Sequence, residues 1–125
     1  MGMDIYVGAR GSGKTATLIK KSAETGAYIL VATKFRAHTV YKQAKEMEYD
    51  IPFPLTVSEI TTGQKYFFNS YMKDHSLLID ELEAVLDVAF CGIPIHGATM
   101  SDTANIKMLF PRQGQAVKVY DSEQE

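Results

Sequence analysis

Two short stretches of this 125-residue sequence gather side chains and backbone suited to phosphate and magnesium chemistry. The first is Gly8-Ala9-Arg10-Gly11-Ser12-Gly13-Lys14-Thr15, which satisfies the pattern G-x-x-x-x-G-K-[ST]. Its glycines permit backbone conformations closed to other residues and let amide groups come close to phosphate oxygens. Successive N–H groups then form a concave anion site, and a helix starting near Gly13 adds its positive end. Lys14 is expected to reach the β- and γ-phosphates of a nucleoside triphosphate, and the Thr15 hydroxyl to ligate Mg2+. The expected binding set is Gly8, Ala9, Arg10, Gly11, Ser12, Gly13, Lys14, Thr15 and Ala16. A glycine-rich turn with a surface lysine would explain neither Gly11 nor the apolar stretch before the loop and the amphipathic stretch after it.

The second stretch is Ser76-Leu77-Leu78-Ile79-Asp80-Glu81. A short apolar run delivers two acids at its carboxyl end, the edge of an open α/β sheet where ligands sit. Asp80 is expected to hold Mg2+, directly or through water. Glu81, one residue on, is placed to orient or deprotonate an attacking group. The competing reading, that both acids merely start the next helix where negative charge is favourable, loses ground because the glycine loop lies upstream.

The elements that must position these groups follow from periodicity. Asp4 to Val7 and Tyr28 to Ala32 read as buried strands, and so does Ser76 to Ile79. Lys14 to Glu24 reads as a helix stopped at Gly26. Ala37, Val40, Tyr41, Ala44 and Met47 recur at helical spacing. Pro52 and Pro54 interrupt the chain before a short strand at Leu55 to Val57 and a brief helix capped by Ser58. Leu82 to Val88 reads as helix and Ile93 to Ala98 as a further strand. Val117 and Val119 alternate with polar residues as a last strand would. Tyr66, Phe67, Phe68 and Tyr71 form an aromatic run, read as core or interface before base-stacking platform. Strands alternating with helices predict an α/β fold, a three-layer parallel sheet with helices on both faces. One domain over residues 1–120 is expected, with an acidic, frayed tail over 121–125.

Composition narrows the setting. Hydrophobic residues make up 46% and charged residues 22%, as in ordinary globular domains. No apolar run approaches the ~20 residues that span a bilayer, and the N-terminus has no signal-peptide pattern. The single cysteine, Cys91, allows no internal disulfide, so a reducing, cytoplasmic setting is expected. The net charge of -2 lacks the basic excess of a protein that grips nucleic acid by its phosphates. The local cluster Lys34, Arg36, Lys42 and Lys45 reads as a solvated helix face.

With Gly8 to Thr15 and Leu77 to Glu81 in place, the sequence resembles the P-loop NTPase superfamily. The division it resembles carries an extra catalytic glutamate beside the aspartate of the second motif. The resemblance implies a P-loop NTPase core that binds and hydrolyses a nucleoside triphosphate, ATP with Mg2+ first, with Lys14 and Glu81 among the catalytic residues. In that division a strand follows the second motif, lies between the two motif strands and often ends in a polar residue sensing the γ-phosphate. Ile93 to Ala98 is placed for this, with Thr99 as the expected catalytic sensor and His96 and Ser101 behind it. Tyr28 to Lys45 also resembles the strand-and-helix unit of helicase cores that contacts single-stranded nucleic acid, which would involve Thr33, Lys34 and Arg36. Arg10 and Arg112 are candidates for an arginine supplied to the nucleotide, in cis or to a neighbouring subunit.

The resemblance implies partners of three kinds: single-stranded nucleic acid, a protein, or further copies of the chain in a homo-oligomer. Two other functions compete. Cys91-Gly92-Ile93-Pro94-Ile95-His96-Gly97 together with Asp80-Glu81 is faintly similar to thymidine kinases, which implies a nucleoside as acceptor. That family builds its lid around a zinc held by several cysteines, and this chain has one. The third reading is a nucleotide-dependent binding module without turnover, against which Glu81 argues.

Overall fold

A computed structural model describes residues 2–62 and 74–110. The chain divides into two compact units, residues 15–97 and the flanking segments 1–14 with 98–125. Five strands and four helices follow one another within the described residues. They are β1 (Asp4–Gly8), α1 (Lys14–Thr25), β2 (Tyr28–Val31), α2 (Lys34–Glu46), β3 (Leu55–Thr56), α3 (Val57–Thr61), β4 (Leu77–Ile79), α4 (Leu82–Ala89) and β5 (Asn105–Leu109). All described strand pairs are parallel, so the fold is α/β. The aromatic run Tyr66 to Met72, the Val117 and Val119 strand, Arg112 and the acidic tail lie outside the described residues.

The larger unit holds a three-stranded sheet in the order β3-β2-β4. Tyr28 pairs with Leu77, Ile29 with Leu78, and Leu30 with both Ile79 and Leu55. As the central strand, β2 has both flanks paired. Its Leu30 joins Leu55, Val57 and Val85 in a buried cluster with Tyr28, Ala32 and Ile60 against it. Ile29 and Val31 alternate to the other face and are also fully buried, so both faces of this strand are covered. Leu18 and Ile19 of α1 and Ala37, Val40 and Ala44 of α2 complete the apolar core. The α2 residues fall at i, i+3 and i+7, the stripe expected of a helix with one packed side, and Ser22 joins Leu18 and Ile19 one turn on in α1.

Local chemistry sets the helix ends. Gly26 stops α1 in a left-handed conformation (φ 80°), with its N–H donating to Ser22 O. The α2 helix begins at Lys34, three residues before its expected apolar start, because the Thr33 hydroxyl accepts from Arg36 N. The cap of α3 is Thr56 and not Ser58. Glu59, three residues after Thr56, returns its carboxylate to the Thr56 N–H, closing a reciprocal box.

Two of the expected buried strands are less covered than their sequences imply. β4 lies at an edge of the described sheet, and its Leu77 and Ile79 are 36% and 38% exposed. β1 pairs with β5, and its residues are half-buried or exposed. The smaller unit contains this parallel pair, in register from Asp4 opposite Asn105 to Gly8 opposite Leu109.

The expected strand at Ile93 to Ala98 is not formed; residues 93–100 are irregular and exposed. Pro94 lacks the N–H a ladder needs, and Ile93 and Ile95 find no apolar cover among the described residues. The strand after the second motif is β5, twelve residues further on.

Candidate functional site

The glycine loop carries the backbone its sequence demands. Gly11 and Gly13 have φ of 84° and 92°, in the region where a Cβ is strained. Ser12 N donates to Ala9 O at 3.0 Å, closing a tight turn. Gly8 has a different reason for lacking a side chain: an added Cβ would collide with Ser12 Oγ and lie 2.7 Å from Leu109 O. Lys14 folds back over this loop, its ammonium donating to Gly8 O at 2.6 Å and Ala9 O at 3.1 Å. The lysine thus ties the strand's end to the turn while keeping its charge at the loop. Arg10 is exposed. Ser12 Oγ is buried with no hydrogen-bond partner among the described residues.

In the larger unit, parallel pairing of β2 with β4 brings their carboxyl ends to one edge. The ladder runs one residue past β4, where Asp80 N donates to Leu30 O at 3.0 Å. That bond fixes Asp80 beside the exit of β2, from which Thr33 leads into α2. Asp80 is 3% exposed. Its two oxygens are both engaged: Thr15 Oγ1 donates to Oδ1 at 3.1 Å, and Arg36 Nε donates to Oδ2 at 2.9 Å. Arg36 Nη2 also donates to Thr15 Oγ1 at 3.0 Å and lies 3.7 Å from Glu81 Oε2. Four residues from three separate parts of the sequence therefore meet at one point.

Glu81 occupies the left-handed region (φ 59°, ψ 71°), uncommon for a residue with a side chain. It stands at the N-terminal end of α4 without capping that helix through its side chain, and the side chain is 53% exposed. The turn after Asp80 thus buries the first acid of the pair and leaves the second accessible. This separation suits one acid to hold a cation and the other to act on a mobile group.

The structure brings Thr15, Asp80 and Glu81, which the two motifs nominate, together with Arg36, which neither motif names. The basic cluster on α2 was expected as a solvated face, and Lys34, Lys42 and Lys45 are indeed exposed. Arg36 departs from it, turning inward onto Asp80. Thr33, grouped with the nucleic-acid candidates, serves as the α2 cap. Phe35, between Lys34 and Arg36, is 81% exposed.

The expected γ-phosphate sensor is not positioned as anticipated. Thr99 lies exposed in the irregular segment before β5 instead of following a strand. His96 is exposed in the same segment. Ser101 is engaged locally, sharing a hydrogen bond with Thr103 Oγ1 and accepting from Thr103 N. The residue directly after β5 is Phe110, which has no polar side chain to offer.

No protein-family model, curated protein or solved structure matches the chain. Among the described residues, no helix is long and apolar enough to cross a membrane, and no group of three or more His, Cys, Asp or Glu residues could hold a metal.

Proposed function

We propose that this chain binds a nucleoside triphosphate with Mg2+, ATP first, and hydrolyses it in the service of a partner. The observation that supports the reading most is the contact between Thr15 and Asp80, 65 positions apart, formed by the two residues that the separate motifs nominate as magnesium ligands. Their hard oxygen donors suit Mg2+, and a guanidinium already stands there as a cation. Magnesium held by Thr15 and Asp80 would supply positive charge to the β- and γ-phosphate oxygens.

In this reading the backbone of Gly8 to Ala16 cradles the phosphates. The Lys14 ammonium exchanges its contacts with Gly8 O and Ala9 O for phosphate oxygens. Glu81, exposed and unspent on capping, orients the attacking water and accepts its proton. The fold that goes with it is a three-layer P-loop core. Parallel strand pairing supports this, as does a strand after the second motif lying directly beside β1. The setting is cytoplasmic, and the partner is single-stranded nucleic acid, a protein or further copies of the chain.

Nucleotide retention and phosphate release test the proposal, measured with and without Mg2+ and single-stranded DNA or RNA. Wild-type protein is expected to retain ATP. K14A is expected to lose it, and E81Q to retain ATP without releasing phosphate. Retention unchanged in K14A would overturn the reading.

A further inference from the structure

The geometry points to Arg36 as a displaceable internal cation, which closes the Thr15–Asp80 site in the nucleotide-free protein and must leave before Mg2+ can enter. This inference rests on the proposed Mg2+–triphosphate function and adds a means by which that site is kept closed. The guanidinium contacts both expected metal ligands, Asp80 through Nε at 2.9 Å and Thr15 through Nη2 at 3.0 Å, and lies 3.7 Å from the expected catalytic carboxylate of Glu81. It is thus a positive group directed at the same oxygens a divalent ion would use. Asp80 cannot serve both at once. Each of its oxygens already accepts a hydrogen bond, and with only 3% of the residue exposed among the described residues, Arg36 stands where a hydrated ion would have to approach.

The latch is built to open. Arg36 sits on the first turn of α2, anchored through its backbone to the Thr33 cap, so its side chain can swing without disturbing the helix. It is 30% exposed, ten times as open as Asp80, so a path to water exists for the guanidinium. A doubly charged ion delivered with a triphosphate offers Asp80 more charge than the single charge it displaces. The arrangement also sets one positive charge between the adjacent acids Asp80 and Glu81, offsetting part of their repulsion. Arg36 is therefore a positioning residue whose removal should favour the metal, the reverse of what loss of a ligand-binding arginine would do.

The test measures binding and not turnover. Fluorescent ATP analogue is titrated into wild-type protein, R36Q and R36K in EDTA, and again across a Mg2+ series. The Mg2+ concentration at half effect is expected to fall on the order of tenfold in R36Q, the worth of about one charge-assisted hydrogen bond. It is expected to fall less in R36K, which keeps the charge but loses the planar fork. Binding in EDTA, which reports the glycine loop alone, is expected to be unchanged. A second measurement needs no substitution. The Arg36 Nε–H signal of 15N-labelled wild-type protein is expected to be slow in solvent exchange without ligand and to lose that protection on addition of Mg2+ and nucleotide. A half-effect concentration that is unchanged or raised in R36Q overturns the latch, as does protection that persists with Mg2+ and nucleotide bound. Failure of every protein, wild type included, to bind nucleotide under any condition overturns instead the function on which the latch depends.

Discussion

Asp80 and Arg36 should be energetically coupled in the nucleotide-free protein, and the structure sets the size of that coupling. D80A removes two hydrogen bonds, from Arg36 Nε at 2.9 Å and from Thr15 Oγ1 at 3.1 Å. Bonds to charged groups contribute about 1.5–3 kcal/mol each, so the loss is bounded near 6 kcal/mol. Two effects reduce it. The carboxylate is almost wholly buried, and removing it returns the cost of its desolvation, which is several kcal/mol for a buried ion. The guanidinium is 30% exposed, so it rehydrates in part and closes on Glu81, already 3.7 Å away. A net destabilisation of about 1–2 kcal/mol is expected, lowering Tm by about 3–10 °C for a chain of this size. Urea unfolding followed by circular dichroism, in EDTA and without nucleotide, measures it for D80A, R36Q and the double variant. The coupling energy should be about 1–2 kcal/mol, and R36Q should cost little once Asp80 is gone, because the guanidinium then has no buried partner to lose. Single effects that add to within about 0.5 kcal/mol would refute the reasoning, since independent sites behave that way.

Four further outcomes follow from the same geometry. K14A should weaken triphosphate retention by about 10- to 150-fold, the value of one charge-assisted bond at 1.5–3 kcal/mol, read by equilibrium dialysis. E81Q should leave nucleotide affinity within about twofold and reduce phosphate release by 10²–10⁴, the usual worth of a general base, in a single-turnover assay. G13A should destabilise by about 1–2 kcal/mol through its φ of 92° alone, since nothing lies within 4 Å of the added Cβ; thermal unfolding reads the loss. Burial pushes the Glu59 carboxyl up, but the Thr56 N–H and hydroxyl and the Lys34 ammonium together hold it below its ordinary value. A depressed carboxylate contributes stability that is complete above its unfolded pKa, about 4.3, and is lost as pH falls through the lower folded value. The stability gap between wild type and E59A should therefore narrow as pH falls below about 4.3, as urea unfolding across a pH series would show.

Local signals were readable and non-local ones were not. The cores of α1, α2 and α4 follow from the spacing of apolar residues, and β2 from a run of Tyr, Ile, Leu and Val, because each pattern is set within one element. The strand Asn105–Leu109 carries no such pattern. Its residues mix Asn, Lys, Ile, Met and Leu, and what makes it a strand is a ladder to β1, a hundred positions upstream. The run Ile93 to Ala98 has the better local signal and forms no strand. Apolar character without a pairing edge does not make a sheet, and Pro94 removes a donor besides. The Thr56 cap was missed in favour of Ser58 for a related reason: both are good caps, and only the Glu three residues after Thr56 breaks the tie.

The same distinction accounts for Arg36. Charge counting groups it with Lys34, Lys42 and Lys45 and assigns it to solvent, but at 3.6 residues per turn it stands across α2 from those lysines and next to the buried Val40. What it meets on that side is decided elsewhere, by the parallel register that sets Leu30 beside Ile79 and so delivers Asp80 to the exit of β2. A buried carboxylate at that point requires a counter-charge. Lys34 is spoken for by Glu59 at 3.6 Å, whereas the fork of Arg36 spans Asp80 and Thr15 together, which a lysine ammonium at a single point matches poorly. The residue type at position 36 is thus explained by the site and not by the helix that carries it. If R36K met Asp80 and Thr15 as well as arginine does, unfolding at the wild-type urea midpoint and with wild-type coupling to Asp80, that explanation would fail and the fork geometry would have no function to account for it.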